Sequence, residues 1–314
     1  MKLAFFDAKS YDKPFFNRYA EEQGIKIKYF ETKLSEDTAP LARGFDGVCV
    51  FVNDTVSAPV IDILLSQGCN FIALRCAGFN NVDFGHLDGR IPVFNVPAYS
   101  PHSVAEHAMA MLLTSIRRIH KAYIRTRDFN FSLKGMTGFD LHGKTVGVVG
   151  TGKIGRCFID ICRGFGMRIL ANDKYPADIS DVGYVDRETL FKESDIISLH
   201  CPLTEETYHM IDGAAISKMK KNAIVINVAR GAVTDEQALA DAIVEGRIGA
   251  LGVDVYSKEP FGEDHPFYAL RGRDNVCLTP HMAWGSAESR ARCVGVMAEN
   301  METFFSGGSK NRIV

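Results

Sequence analysis

Residues 145–155 read Thr-Val-Gly-Val-Val-Gly-Thr-Gly-Lys-Ile-Gly. A short apolar run is followed at once by Gly-X-Gly-X-X-Gly and then by a helical pattern, and few folds accept that order. Gly150 permits a tight turn out of a strand. Gly152 lets backbone approach a pyrophosphate, and Gly155 lets the next helix lie close to the strand. Thr151, Lys153 and Ile154 complete the loop, whose helix N-terminus offers N–H groups and partial positive charge to phosphates. The next apolar run ends in Asn172-Asp173, about 20 residues on, where an acid hydrogen-bonds a ribose 2′-hydroxyl. A carboxylate there repels a 2′-phosphate, so the expected cofactor is NAD rather than NADP. Lys174 is adjacent and works against that discrimination.

Strand and helix patterns alternate on both sides of this motif. After it, strand-like runs fall at 145–149, 167–171, 196–200, 223–228, 250–254 and 276–279. Before it they fall at 3–7, 25–30, 47–51, 71–75 and 93–96, with helical stretches such as 11–23 and 58–67 between. Alternating βα units imply parallel sheets covered by helices. The first series lacks a glycine-rich turn, so it is not expected to cradle a phosphate. Residues 101–128 read as one long helix, with Pro101 suited to its first turn. Its basic end, Arg117, Arg118, His120, Lys121, Arg125 and Arg127, reads as a solvated helix terminus, after which Phe129 and Phe131 are expected to return to apolar packing.

The chain of 314 residues is about twice a typical domain, which predicts two. A net charge of −2 excludes a broad basic surface of the kind that binds nucleic acid. The N-terminal apolar run is broken by Asp7 and Lys9, too early for a signal-peptide core. No apolar stretch approaches the roughly 20 residues that span a bilayer. The eight cysteines contain no CxxC pair. Cys49, Cys76, Cys157 and Cys201 lie in apolar surroundings, as reduced thiols of a cytoplasmic protein would. Clustered Cys and His at zinc-site spacing are absent, so no metal is expected.

Three further segments end strands of the second series, where open α/β sheets bind ligands. Asn227-Val-Ala-Arg-Gly231 places Arg230 where a bidentate donor could grip a carboxylate or polarise a ketone. Gly252-Val-Asp-Val-Tyr-Ser-Lys-Glu-Pro260 carries Asp254 and Glu259. Leu278-Thr-Pro-His-Met-Ala-Trp284 carries His281. Hydride transfer to a ketone needs a proton donor near neutral pH, and a histidine beside a carboxylate supplies one.

Together with Ser198-Leu-His-Cys-Pro-Leu-Thr204, these motifs make the chain resemble the D-isomer-specific 2-hydroxyacid dehydrogenases over nearly its whole length. The resemblance implies an α/β fold with two parallel-sheet domains, a Rossmann dinucleotide-binding domain (100–285) inserted into a flavodoxin-like substrate domain (1–99 and 286–314). It implies that Arg230 binds and orients the substrate, that His281 is the acid/base and that Glu259 is its partner. Asp254 would hydrogen-bond the nicotinamide carboxamide. His200, Cys201, Pro202 and Thr207 would line the adenine and phosphate side, while Val228 and Ala229, with His281, would flank the nicotinamide.

Within the family, residues 1 to about 175 are most similar to the D-lactate dehydrogenases, through Phe51-Val-Asn-Asp54, Arg75-Cys-Ala-Gly-Phe-Asn-Asn-Val-Asp83 and Val96-Pro-Ala-Tyr-Ser-Pro101. That similarity implies substrate contacts from the Ala77 and Gly78 amides, Asn53 and Tyr99. The C-terminal part departs from it, since His281-Met-Ala-Trp284 looks more like glycerate or hydroxypyruvate dehydrogenases, with Trp284 reshaping the substrate pocket. The expected activity is NADH-dependent reduction of pyruvate or a related 2-keto acid to the D-2-hydroxy acid. The alternatives are hydroxypyruvate reduction and, in another class, an NAD-sensing corepressor-like binding protein. The glutamate at 259 weighs against formate dehydrogenases, which carry glutamine there. A homodimer is expected from the resemblance of the helix after Ser100 to the family's dimer contact.

Overall fold

The computed structural model describes residues 1–314, which divide into two units, Met1–Ser100 with Gly285–Val314 and Pro101–Trp284. In the first, β1 (Lys2–Phe5), β2 (Lys26–Tyr29), β3 (Gly47–Val50), β4 (Phe71–Leu74) and β5 (Val93–Phe94) form a parallel sheet in the order β2-β1-β3-β4-β5. That is the flavodoxin-like order. Every residue of β3 and β4 is buried, as expected for parallel strands covered on both faces. Helices α1 (Lys13–Gln23), α2 (Ala58–Ser66) and α3 (Phe84–Leu87) connect the strands. One face buries Val48, Ile61, Leu64 and Ile72; the other buries Phe5, Phe16 and Phe71.

The second unit opens with α4 (Pro101–Arg117) and α5 (Ile119–Arg127). The single helix expected over 101–128 is therefore two. Arg118 between them adopts a left-handed backbone (φ 52°), which no α-helix can pass through. The reason is tertiary. Arg118 donates to the Thr137 carbonyl at 2.6 Å, and Arg125 donates to those of Ser132 and Lys134. The basic cluster thus fastens the segment that follows. Phe129 and Phe131 do not return to a core; they are 89% and 76% exposed.

The sheet that follows comprises β6 (Thr145–Val149), β7 (Arg168–Asn172), β8 (Val182–Tyr184), β9 (Ile196–Leu199), β10 (Ile224–Asn227), β11 (Ala250–Val253) and β12 (Val276–Leu278). All pairings are parallel, in the order β12-β11-β10-β9-β6-β7-β8. The direction of winding reverses between β6 and β9, the switch point at which Rossmann sheets bind ligands. Strand β8 is an addition to the sequence reading. It is a three-residue edge strand, too short to show periodicity. Helices α6 (Lys153–Gly164), α7 (Arg187–Glu193), α8 (Gly213–Lys218) and α9 (Glu236–Val244) complete the unit. The α6 residues Phe158, Ile159 and Cys162 are fully buried; Phe158 alone contributes about 2–3 kcal/mol by leaving water. The last helix, α10 (Ala287–Phe305), belongs to the first unit, where Cys293, Met297 and Met301 join the Phe5 face.

All eight cysteines are free. Burial pushes most of their thiols up, Cys162 to about 12 and Cys201 to about 11, so they are protonated and unreactive near neutral pH. No helix is long and apolar enough to cross a membrane, and no group of three or more His, Cys, Asp and Glu side chains is placed to hold a metal.

Candidate active site

At the carboxyl end of β6, Gly150 holds a positive φ of 93°. A Cβ there would lie 2.7 Å from the backbone of His200 and Cys201. At Gly155 a Cβ would lie 2.0 Å from the Gly150 carbonyl oxygen. Both glycines are therefore dictated by packing. Gly152 is different, because a Cβ on it would meet nothing within 4 Å. That open side, at the N-cap of the twelve-residue α6, is where a phosphate would need room and N–H donors. Thr151 is buried behind the loop; Lys153 and Ile154 start the helix.

Asp173 stands just past β7. Its Oδ2 accepts from the Thr151 amide (2.5 Å) and hydroxyl (3.0 Å), and its Oδ1 accepts from the Tyr175 amide (2.8 Å). The Tyr184 hydroxyl on β8 donates to Thr151 Oγ1 at 3.0 Å, a support that no sequence signal announced. A cavity of about 490 Å³ opens beside Asp173, lined also by Gly150, Tyr175, Cys201, Pro202 and Thr207. Thr207 Oγ1 donates to the Pro202 carbonyl and accepts from the Thr204 amide, which holds that wall in shape. The donor set, the open glycine and the cavity-lining Asp173 carboxylate fit a dinucleotide.

His200 does not extend into this cavity. Its ring packs on Phe158 at 4.9 Å between centroids, Nε2 lies 2.9 Å from Ser198 Oγ, and Nδ1 is buried without a partner. Desolvation pushes its pKa down to about 3. The folded form therefore refuses a proton that the unfolded chain accepts below its usual value near 6.5. Stability from this group is full above that value and is lost as pH falls toward 3. A His200→Gln variant is expected to lose less stability than the parent between pH 7 and pH 5 in denaturant melts. Equal losses would show that His200 does not carry this pH dependence.

The residues expected to carry the chemistry follow the ends of β10, β11 and β12. Asn227 clamps the first turn, accepting from the Ala229 amide through Oδ1 and donating to the Arg230 carbonyl through Nδ2, each at 3.0 Å. Val228 and Ala229 are buried at its base. Arg230 is half-buried, donates to the Ala229 carbonyl at 2.7 Å, and enters no ion pair with the protein. Gly231 next to it has no room for a side chain, since a Cβ would lie 2.0 Å from the Tyr256 backbone.

That contact presses the Arg230 turn against the loop that carries Glu259. Glu259 Oε1 accepts from the Tyr256 amide at 2.9 Å, and its Oε2 lies 2.7 Å from His281 Nδ1. With Nδ1–H donating to the carboxylate, Nε2 is left for a ligand. His281 itself has a left-handed backbone (φ 53°), a conformation that costs energy in a non-glycine residue and is commonest at functional sites. Trp284, half-buried, closes the same segment.

Asp254 holds this segment from below. It is fully buried. Its Oδ1 accepts from Thr279 Oγ1 (2.5 Å) and the Met282 amide (2.9 Å), and its Oδ2 from the Ala283 amide (2.8 Å). Desolvation alone would raise its pKa, but these bonds and His107 outweigh it and hold the carboxyl below the usual range. His107, on α4, lies 3.1 Å from Thr279 Oγ1 and 3.5 Å from Asp254. It was invisible in sequence because an isolated histidine on a helix carries no pattern.

In the first unit, Asn53 follows β3, Ala77 and Gly78 follow β4, and Tyr99 follows β5. The carbonyls of Cys76, Ala77 and Gly78 are all taken, by the Val96 amide, Asn95 Nδ2 and Cys76 Sγ respectively. In a trans peptide the N–H points opposite its carbonyl, so the Ala77 and Gly78 amides face away from those partners. Asn53 is exposed on the neighbouring turn, which Asn81 Nδ2 holds by donating to the Phe51 and Asp54 carbonyls. Tyr99 is half-buried.

Residues 109–283 match the family model described as D-isomer specific 2-hydroxyacid dehydrogenase, NAD binding domain. The chain is 46% identical to a D-lactate dehydrogenase of Escherichia coli strain K12, with 98% of each chain covered. It superposes on the apo-structure of the Escherichia coli enzyme with a TM-score of 0.95 at 46% identity over 100% of both chains. A D-lactate dehydrogenase from Aquifex aeolicus, solved with NAD and lactic acid, gives a TM-score of 0.87 at 31% identity over 99% of both chains.

Proposed function

The chain belongs to the D-isomer-specific 2-hydroxyacid dehydrogenase family, and from that premise we propose that it interconverts pyruvate, or a closely related small 2-keto acid, and the D-2-hydroxy acid. The cofactor is NAD, whose reduced form supplies the hydride when bound. The observation that carries the proposal is the His281–Glu259 pair at 2.7 Å. It orients one ring nitrogen and leaves the other for proton transfer, on the strand ends that also present an arginine free of protein carboxylates.

In the reduction, Arg230 holds the substrate carboxylate and polarises the keto group. Bound NADH would supply hydride to the keto carbon, which would leave the carbonyl electron pair on the oxygen. Protonated His281 then donates its Nε2 proton to that oxygen, and Glu259 stabilises the imidazolium beforehand. We assign further substrate contacts to the Ala77 and Gly78 amides, Asn53, Tyr99 and Trp284. Cofactor contacts are assigned to Gly150 through Gly155, Asp173, Cys201, Pro202, Thr207, Val228 and Ala229, with His200 supporting the loop from beneath; Asp254, expected at the nicotinamide carboxamide, is fully buried and instead holds the His281 segment.

Hydroxypyruvate is the second reading, favoured by Trp284 on the His281 segment. NADH oxidation against pyruvate, hydroxypyruvate, glyoxylate, 2-ketobutyrate and phenylpyruvate separates them. Pyruvate is expected to give the highest kcat/KM. A clear preference for hydroxypyruvate would transfer the assignment to the second reading, and no turnover of any of them would overturn both.

The free thiols agree with a reducing compartment, and we assign the protein to the cytoplasm. We also propose a homodimer. Tyr123, Phe129, Phe131 and Leu133 are each more than two-thirds exposed, an apolar surface of the kind that marks protein contacts. Sedimentation of the purified chain at monomer mass would refute it.

A further inference from the structure

Asp173 is not the only carboxylate that lines this cavity, since Glu205 and Glu206 do so too. Lys174 follows Asp173 directly, and a free lysine there would attract a 2′-phosphate. It is not free. Its Nζ donates to Glu206 Oε1 at 2.6 Å, joining the end of β7 to the 201–207 loop. Both residues line the cavity, with Glu205 and Arg187 beside them. Arg187 donates from Nη1 to the Glu206 carbonyl at 2.9 Å, holding the loop where the Glu206 carboxylate reaches Lys174. The hydrogen bond from Lys174 lowers the pKa of Glu206, and the bond to Glu206 raises that of Lys174, so both stay charged near neutral pH. A half-exposed pair of this kind adds little to stability, but it sets the local charge. Three carboxylates and two cations line this cavity; the Glu206 carboxylate pairs with Lys174, whereas Arg187 meets only the Glu206 backbone carbonyl.

We propose that Glu206 is a second cofactor-selectivity residue, which pairs with Lys174 and so removes the cation that would bind the 2′-phosphate of NADP. The inference rests on the reading of this cavity as the ribose end of the NAD site. It assigns Asp173 to the 2′-hydroxyl and Glu206 to keeping its neighbour from cancelling the effect.

The test measures kcat/KM for NADPH and for NADH in the parent, Glu206→Gln, Lys174→Gln and the double variant. It adds competition against NADH by 5′-AMP and by 2′,5′-ADP. In E206Q the NADPH-to-NADH ratio is expected to rise about fivefold to tenfold, the scale of one partly screened unit charge. Inhibition by 2′,5′-ADP should tighten relative to 5′-AMP, more so at low salt. Both gains should vanish in the double variant, because the freed lysine is their source. A ratio within twofold of the parent in E206Q, or a gain that persists without Lys174, overturns the inference. If neither nucleotide competes with NADH in the parent, the cavity is not the ribose site and the underlying reading falls with it.

Discussion

Replacing His281 by alanine is expected to lower kcat for keto-acid reduction by about two to four orders of magnitude, the range attributable to a positioned general acid. Without the imidazolium, the developing alkoxide must take its proton from water that no group orients. Two features make the outcome interpretable. The ring is bound only through Nδ1 to Glu259, so its loss leaves the Asp254 bonds to Thr279, Met282 and Ala283 in place. The backbone at this position is left-handed, which asparagine tolerates better than alanine. His281→Asn therefore separates backbone strain from proton chemistry. Both variants should lose turnover equally, measured as NADH oxidation under saturating keto acid. Near-native turnover in His281→Ala would remove the residue from the mechanism, and recovery in His281→Asn alone would reduce its role to loop geometry.

The second large effect is expected at Arg230. Its guanidinium meets no carboxylate of the protein and is half withdrawn from water, a situation that an anionic ligand relieves. Removing it as Arg230→Ala should cost about 3–5 kcal/mol of transition-state binding, the scale of a charged, partly buried hydrogen-bonded contact left unmade. That corresponds to roughly a hundredfold to several thousandfold in kcat/KM. The loss should divide between KM and kcat, because the role proposed for this group is both to bind the carboxylate and to polarise the ketone. Arg230→Lys keeps the charge but not the planar fork, so it should recover KM more than kcat. The Asn227 clamp and Gly231 contact set the turn without the side chain, so both variants should fold. A KM within threefold of the parent in Arg230→Ala, with kcat retained, would place the substrate elsewhere.

Much of this site was legible because its information is local. The Gly-X-Gly-X-X-Gly turn, Asp173 and the polar residues ending apolar runs are short-range signals, since strand, turn and helix each constrain residues a few positions apart. The same locality explains the errors. The pattern through residues 101–128 is helical on either side of Arg118, and nothing in it encodes the Thr137 carbonyl that accepts from the Arg118 side chain. Phe129 and Phe131 looked like core residues because apolarity alone does not say what covers them.

The sequence by itself determined two α/β series, a dinucleotide turn and which side chains could react, because spacing along the chain carries those properties. Only the tertiary structure decided which of them meet. Glu259 reaches His281 across 22 residues, Lys174 reaches Glu206 across 32, and His107 reaches Thr279 across 172. Those meetings follow from strand order and loop packing, which depend on contacts summed over the whole sheet and not on any single stretch of residues.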